Sequence, residues 1–531
     1  MKREVPGRRF VPIGALILGG ALLAAACTGG SEGAEQPRPD AFRPSYHAIL
    51  CPDDVLASIA DFRSCGYVTV LEDRSKPQGR TIRLFVSHVK TPSADPSPDP
   101  MFTLGYDLGW QPAYDSIAKL AEYVHRDVFI LDPRGVGHSQ PSLSCPEVQA
   151  LRTSSPAVST GDPRLLSVFV DAAAACHQRL VAESVDLSAY NTDEMAADVE
   201  DVRTALGIDE WNLSIRGTSS TVGFEVMRRY PEHIRSVYFD SPDVPEVDLF
   251  SEAIVGTRYA IARLSRACSN DPRCRRVFPD LERTLRRDLL ALRRKPVPIR
   301  TADGELTLLD TTLVRWVRQW LATATTPSTV PAVLSHLREE SKATTASLGD
   351  EALEHDDLLA TWAADQLTLN LGYAGPGARP SVFTDGAFFS VICHDELPFV
   401  DRRGLRKLAD GEPWFMDTYV DSQYVEICKR WDVGRAPSDP HQPVTSDIPA
   451  LFVVGVDPFS PRPLVEDTAR GLSRSWVVEY PSWGHNAFSS DLPGSTEECS
   501  REIRASWIDA PTAPPDTSCI ADVKPIEFEI E

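Results

Sequence analysis

Two residues able to take part in acid–base chemistry follow buried strand candidates near the end of the chain. Asp457 comes shortly after the apolar run 450–454, and His485 follows the run 476–480. A carboxylate that orients an imidazole, and an imidazole that takes a proton from a hydroxyl, are two parts of a nucleophilic triad. Parallel strands bring the residues at their carboxyl ends to one edge of a sheet. The sequence therefore predicts Asp457 and His485 as the acid and the histidine of such a site.

A nucleophile is expected earlier in the chain, on a tight turn between a strand and a helix. Residues 211–215 form a strand candidate and residues 222–230 have helical spacing, so that turn lies between them. Such a turn normally has the pattern G-x-S-x-G, because small residues permit its strained backbone and the close packing around it. Over residues 211–220 this chain instead has Trp-Asn-Leu-Ser-Ile-Arg-Gly-Thr-Ser-Ser.

Strand and helix patterns alternate on both sides of this turn. Residues 192–206 have the spacing of an amphipathic helix, with Thr192 as its N-cap and Gly207 closing it. Strand patterns, including a hairpin, occupy residues 67–71, 81–89, 101–104, 127–131 and 236–240. This alternation indicates βαβ units and a doubly wound, mostly parallel sheet. From residue 250 to residue 369 the spacing is mostly helical, which predicts an inserted helical cap domain.

The first 27 residues have the features of an export signal. Four basic residues precede an apolar stretch over residues 10–26, which is short for a membrane-spanning helix. Cys27 directly follows small residues, which predicts lipidation of Cys27 and a lipid anchor in the bacterial cell membrane. The alternative is ordinary secretory cleavage, in which Cys27 is lost.

Changes of pattern along the chain predict five segments. They are a signal peptide with a lipobox-like cysteine (1–27), a flexible linker (28–45), a first part of the α/β core (46–245), a helical cap (246–385) and a second part of the core (386–531). The formal net charge of −22 argues against nucleic acid and anionic membrane surfaces as partners. Any membrane association is therefore expected only through the N-terminal lipid.

Eleven cysteines are present, so ten remain if Cys27 is set aside. An even number in an exported protein indicates disulfides. Pairing of nearest neighbours closes five short loops, although sequence alone does not fix connectivity. The neighbouring couples are Cys51 with Cys65, Cys145 with Cys176, Cys268 with Cys274, Cys393 with Cys428, and Cys499 with Cys519. The competing hypothesis of a metal site lacks C-x-x-C or H-x-x-x-H spacing to support it.

Several segments resemble the secreted tripeptidyl aminopeptidase and proline iminopeptidase family of α/β-hydrolases, including its TAP-like C-terminal region. The matching residues are 132–141 (Asp-Pro-Arg-Gly-Val-Gly-His-Ser-Gln-Pro), 192–207, 228–237, 457–458 with Pro461, 484–485 and 516–519. The resemblance runs from about Cys51 to Cys519 and implies the α/β-hydrolase fold with an inserted cap. It also implies a serine hydrolase that removes residues from peptide N-termini and needs no cofactor.

The strand-to-helix turn departs from the family pattern. An ungapped alignment with the family puts Gly217 at the serine position, and Ile215 and Ser219 at the two flanking glycine positions. Glycine has no side chain that could attack a substrate. The alternative is a shift of the strand by two residues, in which residues 217–221 fit G-x-S-x-T and Ser219 is the nucleophile.

The loop expected to bind the oxyanion also departs from the family pattern. The family has a Gly-Gly-Pro-Gly-Gly-like stretch where this chain has Gly105-Tyr106-Asp107-Leu108-Gly109. Backbone N–H groups of this loop and of Thr218 are the expected oxyanion donors. A carboxylate at Asp107 would oppose a developing negative charge if it faced the site, and otherwise it caps a turn in solvent.

Asp395 and Glu396 form an acidic pair where the chain returns from the predicted cap. Such a pair could hold the free amino group of a peptide, but the simpler interpretation is a disulfide-bonded loop with solvated charges. Together these observations predict a peptide-binding or other small-ligand-binding hydrolase-like protein whose catalysis is impaired. The alternative is an active serine hydrolase, or aminopeptidase, that uses Ser219, Asp457 and His485.

Overall fold

The computed structural model describes residues 42–55, 63–105, 114, 117, 119–154, 166–301, 304–323, 326–335, 383–485, 495–524 and 526–530. Phe42–Glu531 forms one compact unit. Cys27, Tyr106 and Asp107 lie outside the described residues. The predictions of lipidation and of an altered oxyanion loop therefore remain predictions at these positions.

A nine-stranded sheet forms the centre of the molecule, with spatial order β1-β2-β3-β5-β4-β6-β7-β10-β11. Its strands are β1 (Ser45–Ile49), β2 (Arg63–Leu71), β3 (Thr81–Val89), β4 (Met101–Leu104), β5 (Val128–Leu131), β6 (Trp211–Arg216), β7 (Ile234–Asp240), β10 (Ala450–Val456) and β11 (Ser475–Trp483). The first three strands and β5 pair antiparallel, whereas every pair from β5 to β11 is parallel. The predicted strands and the mostly parallel sheet are confirmed.

Helices cover both faces of the sheet and extend into a separate helical layer. They are α1 (Leu120–Tyr123), α2 (Pro146–Ser154), α3 (Leu166–Ala182), α4 (Thr192–Leu206), α5 (Ser220–Arg229), α6 (Leu249–Asn270), α7 (Pro272–Val277), α8 (Leu281–Arg294), α9 (Asp310–Leu321), α10 (Asp385–Val391), α11 (Arg402–Leu408), α12 (Pro413–Phe415), α13 (Gln423–Cys428), α14 (Arg462–Ala469) and α15 (Ser495–Asp509). Helices α4, α5 and α14 share an apolar core with one face of the sheet. Helices α1 and α15 share a core with the opposite face, so the sheet is doubly wound as predicted.

The helical layer between β7 and β10 has its own hydrophobic core, built mainly from α6, α8, α9 and α12. Two features differ from the sequence patterns. A two-stranded hairpin, β8 (Val297–Thr301) with β9 (Gly304–Leu308), interrupts the predicted run of helices. Helices also continue past residue 386 as far as Cys428, before the sheet resumes at β10. The predicted domain boundaries stay predictions.

The N-cap of helix α4 is Asn191, one residue before the predicted cap. The side chain of Asn191, and not that of Thr192, accepts a hydrogen bond from the backbone N–H of Glu194. Thr192 is wrong as the N-cap because its hydroxyl donates instead to Asp395, at 2.8 Å. The helix ends at Gly207, whose φ of +67° permits the left-handed turn that closes it, as expected.

All five predicted cysteine couples form disulfides: Cys51–Cys65, Cys145–Cys176, Cys268–Cys274, Cys393–Cys428 and Cys499–Cys519. Within the described residues, the one grouping of possible metal ligands is Cys145, Glu147 and Cys176. Its two sulfurs are bonded to each other, so they offer no thiolate to a metal. A search of the described helices finds none with both the length and the apolar character needed to cross a bilayer.

A buried arginine ties β2, the loop after β5 and α4 together. Arg134 is fully buried and makes two hydrogen bonds to the Asp198 carboxylate, at 2.6 and 2.7 Å. It also donates to the carbonyl oxygens of Glu72 and Ala189. A guanidinium is taken out of water here only because acceptors surround it, so the three segments are held in fixed relation.

We expect Arg134→Met to lower the free energy of unfolding by about 3–5 kcal/mol, since it leaves the buried Asp198 carboxylate without its bidentate partner. Equilibrium urea denaturation with the disulfides intact measures the change. The matched control is Arg283→Met, because the Arg283 side chain is 85% exposed and pairs with Asp280 on the surface. The control should change stability by no more than about 0.5 kcal/mol. Equal effects of the two substitutions would contradict the structural role of Arg134.

Candidate functional site

Asp457 and His485 meet at the carboxyl edge of the sheet. Asp457 follows β10, His485 follows β11, and Oδ2 of Asp457 lies 2.8 Å from Nδ1 of His485. The second carboxylate oxygen of Asp457 accepts the backbone N–H of Phe459, also at 2.8 Å. The backbone N–H of His485 donates to the carbonyl of Ala322, at 2.7 Å. A fully buried carboxylate therefore fixes the orientation of the imidazole ring, as in hydrolase triads.

The helical layer adds a cation to this site. The guanidinium carbon of Arg318, on α9, lies 3.7 Å from the ring centroid of Phe459. The ring of Phe459 in turn lies 5.1 Å from the ring of His485. Arg318 was not among the residues expected from the sequence. Its position could have been predicted from helical spacing, because Arg318 comes four residues after Val314 and so lies on the side of α9 that buries Val314 and Val317.

Gly217 occupies the turn between β6 and α5. Strand β6 ends at Arg216, Gly217 has a φ of +48°, and a short 3₁₀ turn, Gly217–Ser219, leads into α5. This is the left-handed region of backbone conformation, which glycine enters without steric cost. The strand shift that would put Ser219 on the turn is not observed, since β6 ends before Gly217.

Ser219 lies instead at the start of α5, with φ of −66° and ψ of −11°. Its side chain is buried, at 1% exposed. Thr218 is half-buried, and its carbonyl accepts a hydrogen bond from the hydroxyl of Thr221 at 2.9 Å. Both residues thus belong to the 3₁₀ turn that leads into α5, and Ser219 has an ordinary right-handed backbone conformation.

A large residue replaces the expected glycine two positions before the turn. Ile215 is buried in β6, opposite Phe239 of β7. A Cβ atom placed on Gly223 of α5 would lie 3.1 Å from the Ile215 side chain. The close approach of strand and helix is therefore preserved, with the small residue on the helix and the large one on the strand. The pattern G-x-S-x-G could not reveal this exchange.

The backbone N–H of Gly105 is already used within the sheet. It donates to the carbonyl oxygen of Leu131, at 2.9 Å. An N–H held in this way points along the sheet toward β5, so it is directed away from an oxyanion at the edge of the sheet. Tyr106, the next residue, lies outside the described part of the chain.

Asp395 and Glu396 have partners inside the protein. Asp395 is 4% exposed, and its Oδ2 accepts hydrogen bonds from both the backbone N–H and the hydroxyl of Thr192. Its Oδ1 lies 2.6 Å from Nδ1 of His394. Asp395 therefore fastens this loop to the start of α4. Its charge is buried, not solvated as the simpler interpretation expected, and its binding of a peptide amino group stays a prediction. Glu396 bonds to the backbone N–H of Leu249, at 3.1 Å.

Comparison with known proteins agrees with this architecture. Residues 107–270 match the family model described as alpha/beta hydrolase fold, and residues 413–519 match the model described as TAP-like protein. A tripeptidyl aminopeptidase from Streptomyces lividans is 28% identical over 200 residues, which are 35% of this chain and 36% of that protein. Carboxylesterase B of Mycobacterium tuberculosis is 28% identical over 283 residues, which are 49% of this chain and 53% of that protein.

Solved structures with a similar outline include a proline iminopeptidase from Mycobacterium smegmatis. It is 14% identical, with 81% of this chain and 96% of that chain covered, at a TM-score of 0.36. The sequence matches span about a third to a half of the length of the curated relatives. The sheet topology and the two family matches show the α/β-hydrolase fold, and the chain is similar to tripeptidyl aminopeptidases, with a TAP-like C-terminal region.

Proposed function

We propose that this chain is an exported hydrolase-like protein that binds peptides or another small ligand between the helical layer and the sheet without hydrolysing them. The observation that carries the proposal is Gly217, with a φ of +48° on the turn where a nucleophile is expected. Its backbone conformation is that of the turn, but no hydroxyl is attached to it. A ligand at this edge would meet His485 and Asp457, with a glycine on the turn after β6.

Two further features support the absence of catalysis. Ser219, the nearest replacement, is buried at the end of the 3₁₀ turn before α5 and has a right-handed backbone. The N–H of Gly105 is bound to Leu131 and does not offer an oxyanion a hydrogen bond. Loss of one oxyanion donor alone lowers the rate of a serine hydrolase by about 10²- to 10³-fold.

The intact bond between Asp457 and His485 favours a second candidate function. An oriented imidazole is the general base that a serine hydrolase requires. The alternative is thus an active hydrolase that cleaves peptide N-termini with Ser219, Asp457 and His485. The names of the relatives, an aminopeptidase and a carboxylesterase, are compatible with this alternative.

Export is supported by the five disulfides, because such bonds persist in oxidising compartments. Attachment to the membrane through a lipid on Cys27 forms part of the proposal and rests on the N-terminal sequence alone.

We expect the purified wild-type protein to remain unlabelled by a fluorophosphonate probe, since Gly217 on the turn after β6 carries no hydroxyl and Ser219 is buried. It should also release no product from tripeptidyl p-nitroanilides with a free N-terminus. Mass spectrometry of the intact protein and absorbance measure the two results. Labelling that maps to Ser219 and disappears in Ser219→Ala would reject this proposal and establish the alternative.

We expect Gly217→Ser to become reactive toward the fluorophosphonate probe, because it puts a hydroxyl on the turn that faces an oriented imidazole. The matched control is Gly217→Ala, which has the same backbone cost of about 1–2 kcal/mol but no hydroxyl. The double variant Gly217→Ser with His485→Ala should lose the gained reactivity. A folded Gly217→Ser protein as inert as Gly217→Ala would show that Gly217 does not occupy the nucleophile position.

A further inference from the structure

A cavity of about 450 Å³ lies beside α5. Gly217, Asp457 and His485 are not among its lining residues, whereas Asp395 and Glu396 are. The rest of its walls come from the start of α4, α5, the loop after β7, the start of α6 and residues 436–442. A concave space of this volume is within the range of pockets that hold small organic ligands.

One wall of the cavity is apolar. Phe224 of α5, Val244 and Val247 of the loop after β7, and Leu249 of α6 contribute to it. Phe224 and Val244 are themselves buried in the core below, which gives this wall a fixed shape. A ligand with a hydrocarbon part would gain burial against this surface.

Glu252 of α6 faces the same cavity and is unusual among its acidic residues. Its side chain is 2% exposed, yet its Oε1 has no hydrogen-bond partner within the described part of the chain. A carboxyl oxygen that is removed from water normally has a donor, because leaving it unpaired is unfavourable. The missing donor is therefore expected from a ligand.

Other carboxylates around the cavity already have cationic or polar partners. Glu225 pairs with Arg228 on the same helix. Oε2 of Glu396 lies 3.1 Å from Nε2 of His441. Burial alone would lower the pKa of His441, but the hydrogen bonds and charges of Glu396 and Asp439 raise it to about 9, so His441 is a cation at neutral pH.

The spacing of the carboxylates does not suit a divalent metal ion. Within the described residues, no three carboxylate or histidine ligands of this cavity lie within 4.8 Å of one another. Calcium and magnesium need several oxygen ligands at 2.0–2.6 Å from one centre. A cation with its charge on one nitrogen and a hydrocarbon body fits the combination of Glu252 and the apolar wall better.

We propose that this cavity binds a small organic ammonium ion, with its nitrogen paired to the Glu252 carboxylate and its hydrocarbon part against Phe224 and Val247. The proposal does not depend on whether the edge at His485 binds peptides. It identifies Glu252 as a binding residue whose Oε1 would accept a hydrogen bond from the nitrogen of the ligand.

The protonation of Glu252 gives this site a characteristic pH dependence. Burial, followed by the charges of Asp243, Glu396 and Asp457, raises the pKa of Glu252 well above its usual value, while the charge of Arg318 opposes the shift. At a pH below the raised pKa, the Glu252 carboxyl therefore holds a proton that must leave when an ammonium ion binds. Below the raised pKa, affinity should increase by about tenfold per pH unit, as for any binding that releases one proton.

Isothermal titration calorimetry of the whole protein with hexylammonium chloride tests the proposal. Hexanol serves as the neutral ligand of similar shape, and calcium chloride as the competing cation. The same titration in two buffers of different ionisation enthalpy measures the proton released. The variant is Glu252→Gln, and its matched control is Glu225→Gln, which removes a carboxylate that already has an arginine partner.

We expect hexylammonium to bind the wild-type protein with proton release, and hexanol and calcium to bind at least about tenfold more weakly. Affinity should fall by about 10- to 100-fold in Glu252→Gln, as is typical for loss of a charged hydrogen bond. Glu225→Gln should stay within about threefold of wild type. Glu252→Gln should also be at least as stable as the wild type above pH 5. The pKa of Glu252 is higher in the folded protein than in the unfolded chain, so the wild type loses folding free energy as the pH rises above the unfolded-state pKa, whereas the variant has no group that titrates there.

The proposal is overturned if hexylammonium fails to bind, if hexanol or calcium binds equally well, or if Glu252→Gln keeps wild-type affinity and proton release. Should Glu252→Gln not fold, Val247→Trp provides a second test, since it fills the cavity from a half-buried position and leaves Glu252 in place. A folded Val247→Trp protein that binds hexylammonium as the wild type does would likewise overturn it.

Discussion

The parallel pairing of β6, β7, β10 and β11 is the constraint on which the rest of the structure depends. These four strands lie side by side in that order, so their carboxyl ends form one continuous edge of the sheet. Gly217 follows β6, Asp457 follows β10 and His485 follows β11. Residues that are far apart in the chain are therefore brought together by hydrogen bonds between backbones, before any side chain makes a contact.

The turn after β6 shows how the strand and helix packing of the fold is kept with an unusual set of residues. The strained turn requires a residue that tolerates positive φ, and Gly217 meets this need at no steric cost. The contact of Ile215 with Gly223 keeps strand and helix close, although the small and large residues are exchanged relative to the usual pattern. Packing therefore does not require a serine here, and the pair Asp457–His485 can persist through its own hydrogen bonds and burial.

The helical layer determines the electrostatics of the edge of the sheet. It contributes one cation, Arg318, which stacks on Phe459, and one buried acid, Glu252, which lacks a donor for Oε1. Arg318 favours the charged form of Glu252, while Asp243, Glu396 and Asp457 oppose it. The two sides of the edge thus differ, with a stacked guanidinium near His485 and an unpaired carboxyl in the cavity beside α5.

Features that are local in the chain were predictable from the sequence. The strands around Asp457 and His485 and the helix 192–206 follow from hydrophobic periodicity, and the disulfides follow from nearest-neighbour spacing of the cysteines. The hairpin β8–β9 was missed because short strands inside a helical region lack enough residues to establish a period of two. The identity of the residue on the turn was open, because a strand shifted by two residues buries the same faces.

Only the tertiary structure decided the features that depend on distance between remote segments. Pairing of β6 with β4 and β7 fixed the register that puts Gly217, and not Ser219, on the turn. The contact with Thr192 gave Asp395 a hydrogen-bond partner on a remote helix. Burial near Asp243, Glu396 and Asp457 raised the pKa of Glu252 above the usual value of a glutamate. Sequence determines which side chains are present and how the backbone repeats, whereas desolvation and hydrogen-bond partners arise only when distant segments pack.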